Sequence, residues 1–168
     1  AEKAGVAARA SFNRADLFET DLSKASVITM FLLSSINMKL RPKILDLKPG
    51  TRVVSNTFTM GEWKEDDSVS VSEGCSSYCT AYFWVVPAKV EGAWRVGNGE
   101  LSLKQEFQVV SGNLSQDGKS IPVAGRLRGD QLTFTAGGTQ YDATVKGDTI
   151  EGTRKSGNAS AAFSATRR

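Results

Sequence analysis

The chain has 168 residues, 40% hydrophobic and 23% charged, and a net charge of +3 at pH 7. That length can bury a core without a metal or disulfide staple, the longest apolar runs, such as Ala81 to Pro87, are far too short to cross a bilayer, and the scattered basic residues form no stripe for a phosphate backbone, so neither membrane nor nucleic acid is expected as a partner. Histidine is absent, which excludes Ser-His-Asp and Cys-His catalysis and the HExxH zinc pattern and leaves carboxylate, Lys, Tyr, Cys or a bound cofactor as chemistry.

The chain begins at Ala1 without Met and shows no secretory signal, which reads as a processed product or a segment of something longer, and the compartment stays open. Glu2 to Ala8 is Ala-rich and suggests the last turns of a helix; Ala10 to Phe18 has strand character and runs into an acidic loop. Ala25 to Leu33 is a largely apolar, β-branched run, the pattern of a strand covered on both faces in a parallel sheet. Asn37 is the expected cap of a helix lined by Met38, Leu40, Ile44, Leu45 and Leu47, with Pro42 awkward inside it. Lys48-Pro49-Gly50 stops that helix, and Thr51 to Phe58 resumes as strand. Strand, helix, stop and strand make a βαβ crossover, which places ligands at the carboxyl ends of its parallel strands.

Arg14-Ala15-Asp16-Leu17-Phe18, the run Val27 to Leu33, and Leu45-Asp46-Leu47-Lys48-Pro49-Gly50-Thr51-Arg52-Val53-Val54-Ser55 resemble, in order and spacing, the middle and later motifs of bacterial class I S-adenosylmethionine-dependent methyltransferases. Leu-Lys-Pro-Gly is the most specific of these elements. Tyr82 to Val90 followed by Gly92-Ala93-Trp94 looks like a subgroup with an extra β segment. The resemblance implies S-adenosylmethionine as cofactor, with Asp16, Leu17 and Phe18 beside the adenine and Met30, Phe31 and Leu32 facing cofactor and substrate. Ser34-Ser35 stands where the family commonly has a proline. The family's glycine-rich turn is missing: between Ala1 and Pro49 the only glycine is Gly5, and no G-x-G-x-x-G occurs. Cofactor binding by this chain is therefore expected to be weak or absent. The missing first strand would be central in the family's sheet, lying between the strand at Ser11 to Ala15 and the one at Val27 to Leu33. Its loss implies exposed edges covered by a second copy, by the β unit or by re-pairing.

From Thr80 onward the period changes to two. Leu101, Leu103, Phe107 and Val109 alternate with polar residues, as do Leu132 and Phe134, and then Tyr141, Ala143 and Val145. Gly97-Asn98-Gly99, Gln116-Asp117-Gly118, Gly129-Asp130, Gly137-Gly138, Gly147-Asp148 and Gly157-Asn158 punctuate the run as hairpin turns. Arg126 to Leu132 and Thr144 to Ile150 echo each other, so Arg128-Gly129-Asp130 reads as a type II′ turn rather than an adhesion tripeptide. The expected class is α+β: a remnant of a Rossmann-like methyltransferase sheet over residues 1–79, then an antiparallel meander, barrel-like or sandwich-like, over residues 80–168.

Each pointed residue has a plainer reading. Cys75 and Cys79 lack the further ligands of a zinc site and read as incidental thiols rather than a disulfide. Glu65-Asp66-Asp67 reads as a solvated loop rather than a cation site. Trp63, Tyr78, Tyr82, Phe83, Trp84 and Trp94 read as core rather than pocket lining, and Lys48 and Lys89 as exposed lysines rather than nucleophiles. Beside the methyltransferase reading stand two others: a β module enclosing a small-molecule ligand, and a histidine-free hydrolase of esters or lactones working through carboxylate or a bound cation.

Overall fold

The computed structural model describes residues 1–168. After a single 3₁₀ turn at Glu2–Ala4 the chain runs through β1 (Val27–Met30), α1 (Ser34–Leu45), β2 (Arg52–Asn56), β3 (Asp67–Ser70) and β4 (Thr80–Val85). Eight strands follow: β5 (Gly92–Val96), β6 (Gly99–Glu106), β7 (Val109–Gln116), β8 (Lys119–Arg128), β9 (Gln131–Ala136), β10 (Thr139–Lys146), β11 (Thr149–Ser156) and β12 (Ala159–Arg167).

The first four strands form one mixed sheet in the order β1-β2-β4-β3. β1 and β2 are parallel, Val27 opposite Arg52 and Met30 opposite Ser55, with α1 as their crossover. β4 lies antiparallel to both β2 and β3. One face of this sheet packs on α1: Leu40, Ile44 and Leu47 meet Val53, Met60, Trp63, Trp84 and Val86 in a buried cluster. Trp84 donates its indole N–H to the Trp63 carbonyl at 2.9 Å, which satisfies the polar edge of a ring with no exposed surface.

Several expectations change here. No strand forms over Ser11 to Ala15, a stretch exposed throughout, and the side of β1 away from β2 carries no partner. β1 is also covered on one face only, since Val27 and Thr29 are exposed while Ile28 and Met30 are half-buried. Asn37 does not cap α1. Leu33 holds that position without a side-chain cap, and Asn37 lies inside the helix and fully buried. Met38, expected in the core, is 45% exposed. Thr80–Val85 was expected to open the second unit, but it hydrogen-bonds into the first sheet.

β5 to β12 close into a barrel in sequence order, sealed where Thr166 and Arg167 pair with Arg95 and Trp94. The choice between barrel and sandwich is thus a barrel, whose closure leaves its strands with no free edge. Gly129 and Gly147 take positive φ of 63° and 59° while Asp130 and Asp148 do not, the sign pattern of type II′ turns. The interior is occupied. Trp94, Leu101, Leu103, Leu127, Leu132, Phe134, Tyr141, Ile150 and Phe163 belong to one core cluster of 18 buried residues, with Phe134 stacked on Tyr141 at 4.3 Å between centroids. A barrel filled by its own side chains has no room for the enclosed ligand that the β-module reading requires.

The two units are joined by specific contacts. Phe107, in the β6–β7 turn, stacks on Trp63 at 6.2 Å, and Gln108 donates to the Lys64 carbonyl at 2.7 Å. Asp66, far from a solvated loop acid, has a side chain only 3% exposed. It accepts from Arg126 of β8 at 2.8 Å and from the Val85 N–H at 2.8 Å.

Candidate functional site

A parallel pair joined by a helix gathers functional groups at the strands' carboxyl ends. Here β1 runs out at Met30 into Phe31-Leu32-Leu33, and β2 runs out at Asn56 into Thr57-Phe58. Phe31 is 56% exposed, whereas Met30 and Leu32 beside it are half-buried against the α1 core. The Phe31 ring meets Phe58 at 6.0 Å and meets Tyr78 edge-on at 5.1 Å. Phe58 and Tyr78 are 6.3 Å apart. Three segments distant in sequence therefore present three aromatic rings at one place, and Tyr78 is itself 57% exposed. An exposed aromatic cluster is the informative exception among aromatics, whose usual place is the core.

The backbone beneath this shelf is strained and tied down. Thr57 and Tyr78 take left-handed φ of 67° and 58°, which costs a non-glycine residue roughly 1–2 kcal/mol. The Thr57 N–H donates to the Thr80 carbonyl at 2.6 Å. The Ser55 hydroxyl donates to the Phe58 carbonyl at 2.7 Å. From the first turns of α1, the Asn37 amide donates to the Ser55 hydroxyl at 3.2 Å and to the carbonyls of Phe58 and Thr59 at 3.1 and 3.3 Å. Its Oδ1 is buried and has no partner.

Tyr78 is held from the other side. Cys75 and Cys79 form a disulfide, with Cα atoms 5.9 Å apart, so the expectation of two incidental thiols is overturned. The spacing alone looked weak. What makes it bond is a loop whose Gly74 and Tyr78 both turn left-handed and bring the sulfurs together.

Charge in the segment that carries Phe58 and Tyr78 is one-sided. Between Thr57 and Cys79 stand Glu62, Glu65, Asp66, Asp67 and Glu73 against the lone base Lys64. Glu62 pairs with Arg41 at 2.8 Å, and the Arg41 hydrogen bond holds its carboxyl below the ordinary value. Asp66 pairs with Arg126. Glu65, Asp67 and Glu73 carry no ion pair. No three His, Cys, Asp or Glu side chains converge as a metal-ligand group, so Glu65-Asp66-Asp67 gives the hydrolase reading no focus. Lys89 is exposed and pairs with Asp46; Lys48 is exposed as well.

Asp16, Leu17 and Phe18 lie in a turn of their own. Asp16 is exposed and accepts from the Phe18 N–H at 2.8 Å in a local turn. Leu17 and Phe18 are 36% and 43% exposed, and the Phe18 carbonyl accepts from Lys43 in the last turn of α1 at 2.6 Å. Met30, Phe31 and Leu32 precede the first turn of the same helix. At about 1.5 Å of rise per residue, the two sets lie on the order of one helix length apart, and the structure does not bring them together. Tyr78, expected in the core, is exposed in this cluster, and Asn37, expected as a helix cap, lies buried beneath it; Phe58 was read only as the end of a strand. The sign that pointed nearest was the position of Phe58 just past a parallel strand.

Residues 1–67 match the ANTKMT methyltransferase domain family. The chain is 44% identical over 86 residues to a protein-lysine N-methyltransferase of Saccharolobus islandicus, an alignment covering 51% of this chain and 53% of that protein. Among solved structures it is similar to an RNA methyltransferase from Salinibacter ruber in complex with S-adenosyl-L-homocysteine, at 46% identity and a TM-score of 0.48, over 53% of this chain and 56% of that one. The chain thus spans about half the length of the relatives it matches. The domain match and the curated relative support a methyltransferase family relationship for this chain.

Proposed function

We propose that the chain carries the methyl-transfer face of an S-adenosylmethionine-dependent methyltransferase acting on an amine, with the lysine side chain named for its Saccharolobus relative as the acceptor class. The observation that carries this reading is the exposed Phe31 between half-buried Met30 and Leu32, at the carboxyl end of a parallel strand and inside the matched residues. The cofactor supplies an electrophilic methyl group on a sulfonium. Phe31 and Phe58 offer ring faces to a positively charged centre, and the Asn37–Ser55 network fixes the Phe58 turn so that its ring needs no ordering when a ligand arrives.

The fit is good for the sulfonium and poor for the nucleoside. No glycine between Val6 and Pro49 offers bare backbone to a ribose, and Asp16, Leu17 and Phe18 lie toward the far end of α1. We therefore assign Met30, Phe31 and Leu32 to the cofactor as it stands. Asp16, Leu17 and Phe18 join them only if the segment before β1 moves. Binding by the chain alone is accordingly weak.

The test is transfer of an isotopically labelled methyl group from saturating S-adenosylmethionine to a lysine peptide, with Phe31→Ala as control. Label on the lysine amine that falls at least tenfold in Phe31→Ala supports the reading. No label at saturating cofactor, or label indifferent to Phe31, overturns it.

A further inference from the structure

The proposed function uses Phe31 and Phe58, both within the matched residues, but the third ring, Tyr78, lies outside them. It comes from the loop between β3 and β4, whose internal ties are few. Within Val71 to Cys79 the hydrogen bond is that of the Val71 N–H to the Cys79 carbonyl at 2.9 Å. Apart from its rings, what fixes Tyr78 over the shelf is the Cys75–Cys79 disulfide, which closes a ring of five residues around it. Within that ring Tyr78 holds a left-handed backbone at φ 58°, a state a free tyrosine leaves readily. The disulfide is surface-lying: both cysteines are half-buried, and Ser76, Ser77 and Tyr78 between them are exposed.

Three rings in mutual contact, two of them more than half exposed, suit one ligand chemistry. Aromatic faces attract a positive centre that has shed much of its water. A neutral ligand of equal shape lacks that attraction. Both members of a methyl transfer to lysine carry such a centre, a sulfonium on the donor and an ammonium on the acceptor.

We propose that Tyr78 is the third wall of an onium-binding subsite with Phe31 and Phe58, and that the Cys75–Cys79 disulfide is the tether that keeps it closed. Reduction opens the subsite. A dithiol gives two electrons and two protons to the Cys75–Cys79 bond, leaving two thiols here and closing its own disulfide; the loop then loses its ring and Tyr78 leaves the shelf. The inference rests on the methyltransferase reading for the identity of the ligand, but the subsite's preference for positive charge does not.

The experiment is calorimetry on the full chain with two matched pairs of probes: S-adenosylmethionine against S-adenosylhomocysteine, which lacks the sulfonium charge, and Nα-acetyl-lysine methylamide against its norleucine counterpart, which lacks the ammonium. At least one cationic probe is expected to bind roughly 3- to 30-fold more tightly than its neutral partner. That ratio should persist in Tyr78→Phe, and fall toward one in Tyr78→Leu, in Cys75→Ser/Cys79→Ser and in the dithiol-treated wild type. The pair that shows it identifies donor or acceptor as the occupant. Equal affinity within both pairs, no binding of either cation, or a charge preference untouched by reduction overturns the proposal. A charge preference that survives while no labelled methyl reaches lysine sinks the methyltransferase reading and leaves the subsite standing.

Discussion

Asn37→Ala tests whether the buried amide beneath the shelf holds the Phe58 turn. The amide nitrogen faces three acceptors, Ser55 Oγ, Phe58 O and Thr59 O, at 3.2, 3.1 and 3.3 Å. It has two hydrogens, so two full bonds are the most it can make, each worth about 1 kcal/mol net. Phe58 O keeps its bond from Ser55 Oγ after the substitution, whereas Thr59 O, which is partly buried, loses its donor at a further cost of about 1 kcal/mol. Against this, alanine removes the orphaned Oδ1, returning about 1 kcal/mol. The net expectation is a loss of about 2 kcal/mol, which for a chain of 168 residues lowers the melting temperature by about 4–8 °C. Urea unfolding followed by tryptophan fluorescence reads it, because Trp63 and Trp84 lie in the adjoining core. Asn37→Asp should lose more at pH 7 than at pH 4. A buried carboxylate facing two carbonyls has its folded-state pKa raised, so the protonated form favours folding at low pH and stability falls as pH rises through that value. A loss below about 0.5 kcal/mol in Asn37→Ala would mean that the orphaned oxygen cancels the network and that something else fixes Phe58.

Three further outcomes are expected. Arg126→Ala should destabilise more than Asp66→Ala, because it strands a carboxylate that is 3% exposed, whereas the reverse change releases an arginine that is 50% exposed and leaves the Val85 N–H without its acceptor; about 2–4 against about 1–3 kcal/mol in urea titrations, and the opposite order would refute the assignment. Glu62→Gln should be less stable than wild type at neutral pH and low salt. Since Arg41 lowers the Glu62 pKa below 4.5, that contribution is present above the unfolded value and lost as pH falls through the folded one, so the gap should close in acid and in high salt; a gap that persists in both would refute the electrostatic account. Gly152→Ala should disrupt the barrel, since a Cβ there would lie 2.1 Å from the Asp142 carbonyl oxygen and 2.5 Å from Ala143 Cα on the facing strand. The loss should reach about 3 kcal/mol or more, and a barrel of wild-type stability in thermal melts would contradict the packing.

Much of the frame was legible because it obeys simple periods. Glycine turns bracketing alternating strands carry the barrel, and the apolar run, helix, Pro-Gly stop and second run carry the parallel pair. β4 was misassigned for a physical reason. Thr80 to Val85 is a nearly unbroken apolar run lying directly before the alternating barrel strands, and such a run says that a strand is covered but not which neighbour its backbone finds. Asn37 was misread for a related one: asparagine near a helix start usually caps it, and only the carbonyls of Phe58 and Thr59, about twenty residues on, explain why this one sits inside.

The site itself was half legible. Phe31 is named through the resemblance and stands at a strand end, but Tyr78 is reached only through a left-handed residue and a disulfide that the Cys-x3-Cys spacing does not announce. Aromatic composition does not help, since Trp63, Trp84 and Trp94 have no exposed surface while Tyr78 stands more than half exposed. The difference lies in what surrounds each ring. The three indoles face a helix or a barrel wall that arrives from elsewhere in the chain, and two of them find acceptors at 2.9 and 2.8 Å on the way, whereas the loop around Tyr78 is held by its disulfide, one backbone hydrogen bond and two neighbouring rings. A left-handed tyrosine relaxes into a commoner backbone conformation unless its surroundings hold it there. Here a covalent bond forbids that relief, and the ring therefore stays where a ligand at the ends of β1 and β2 would meet it.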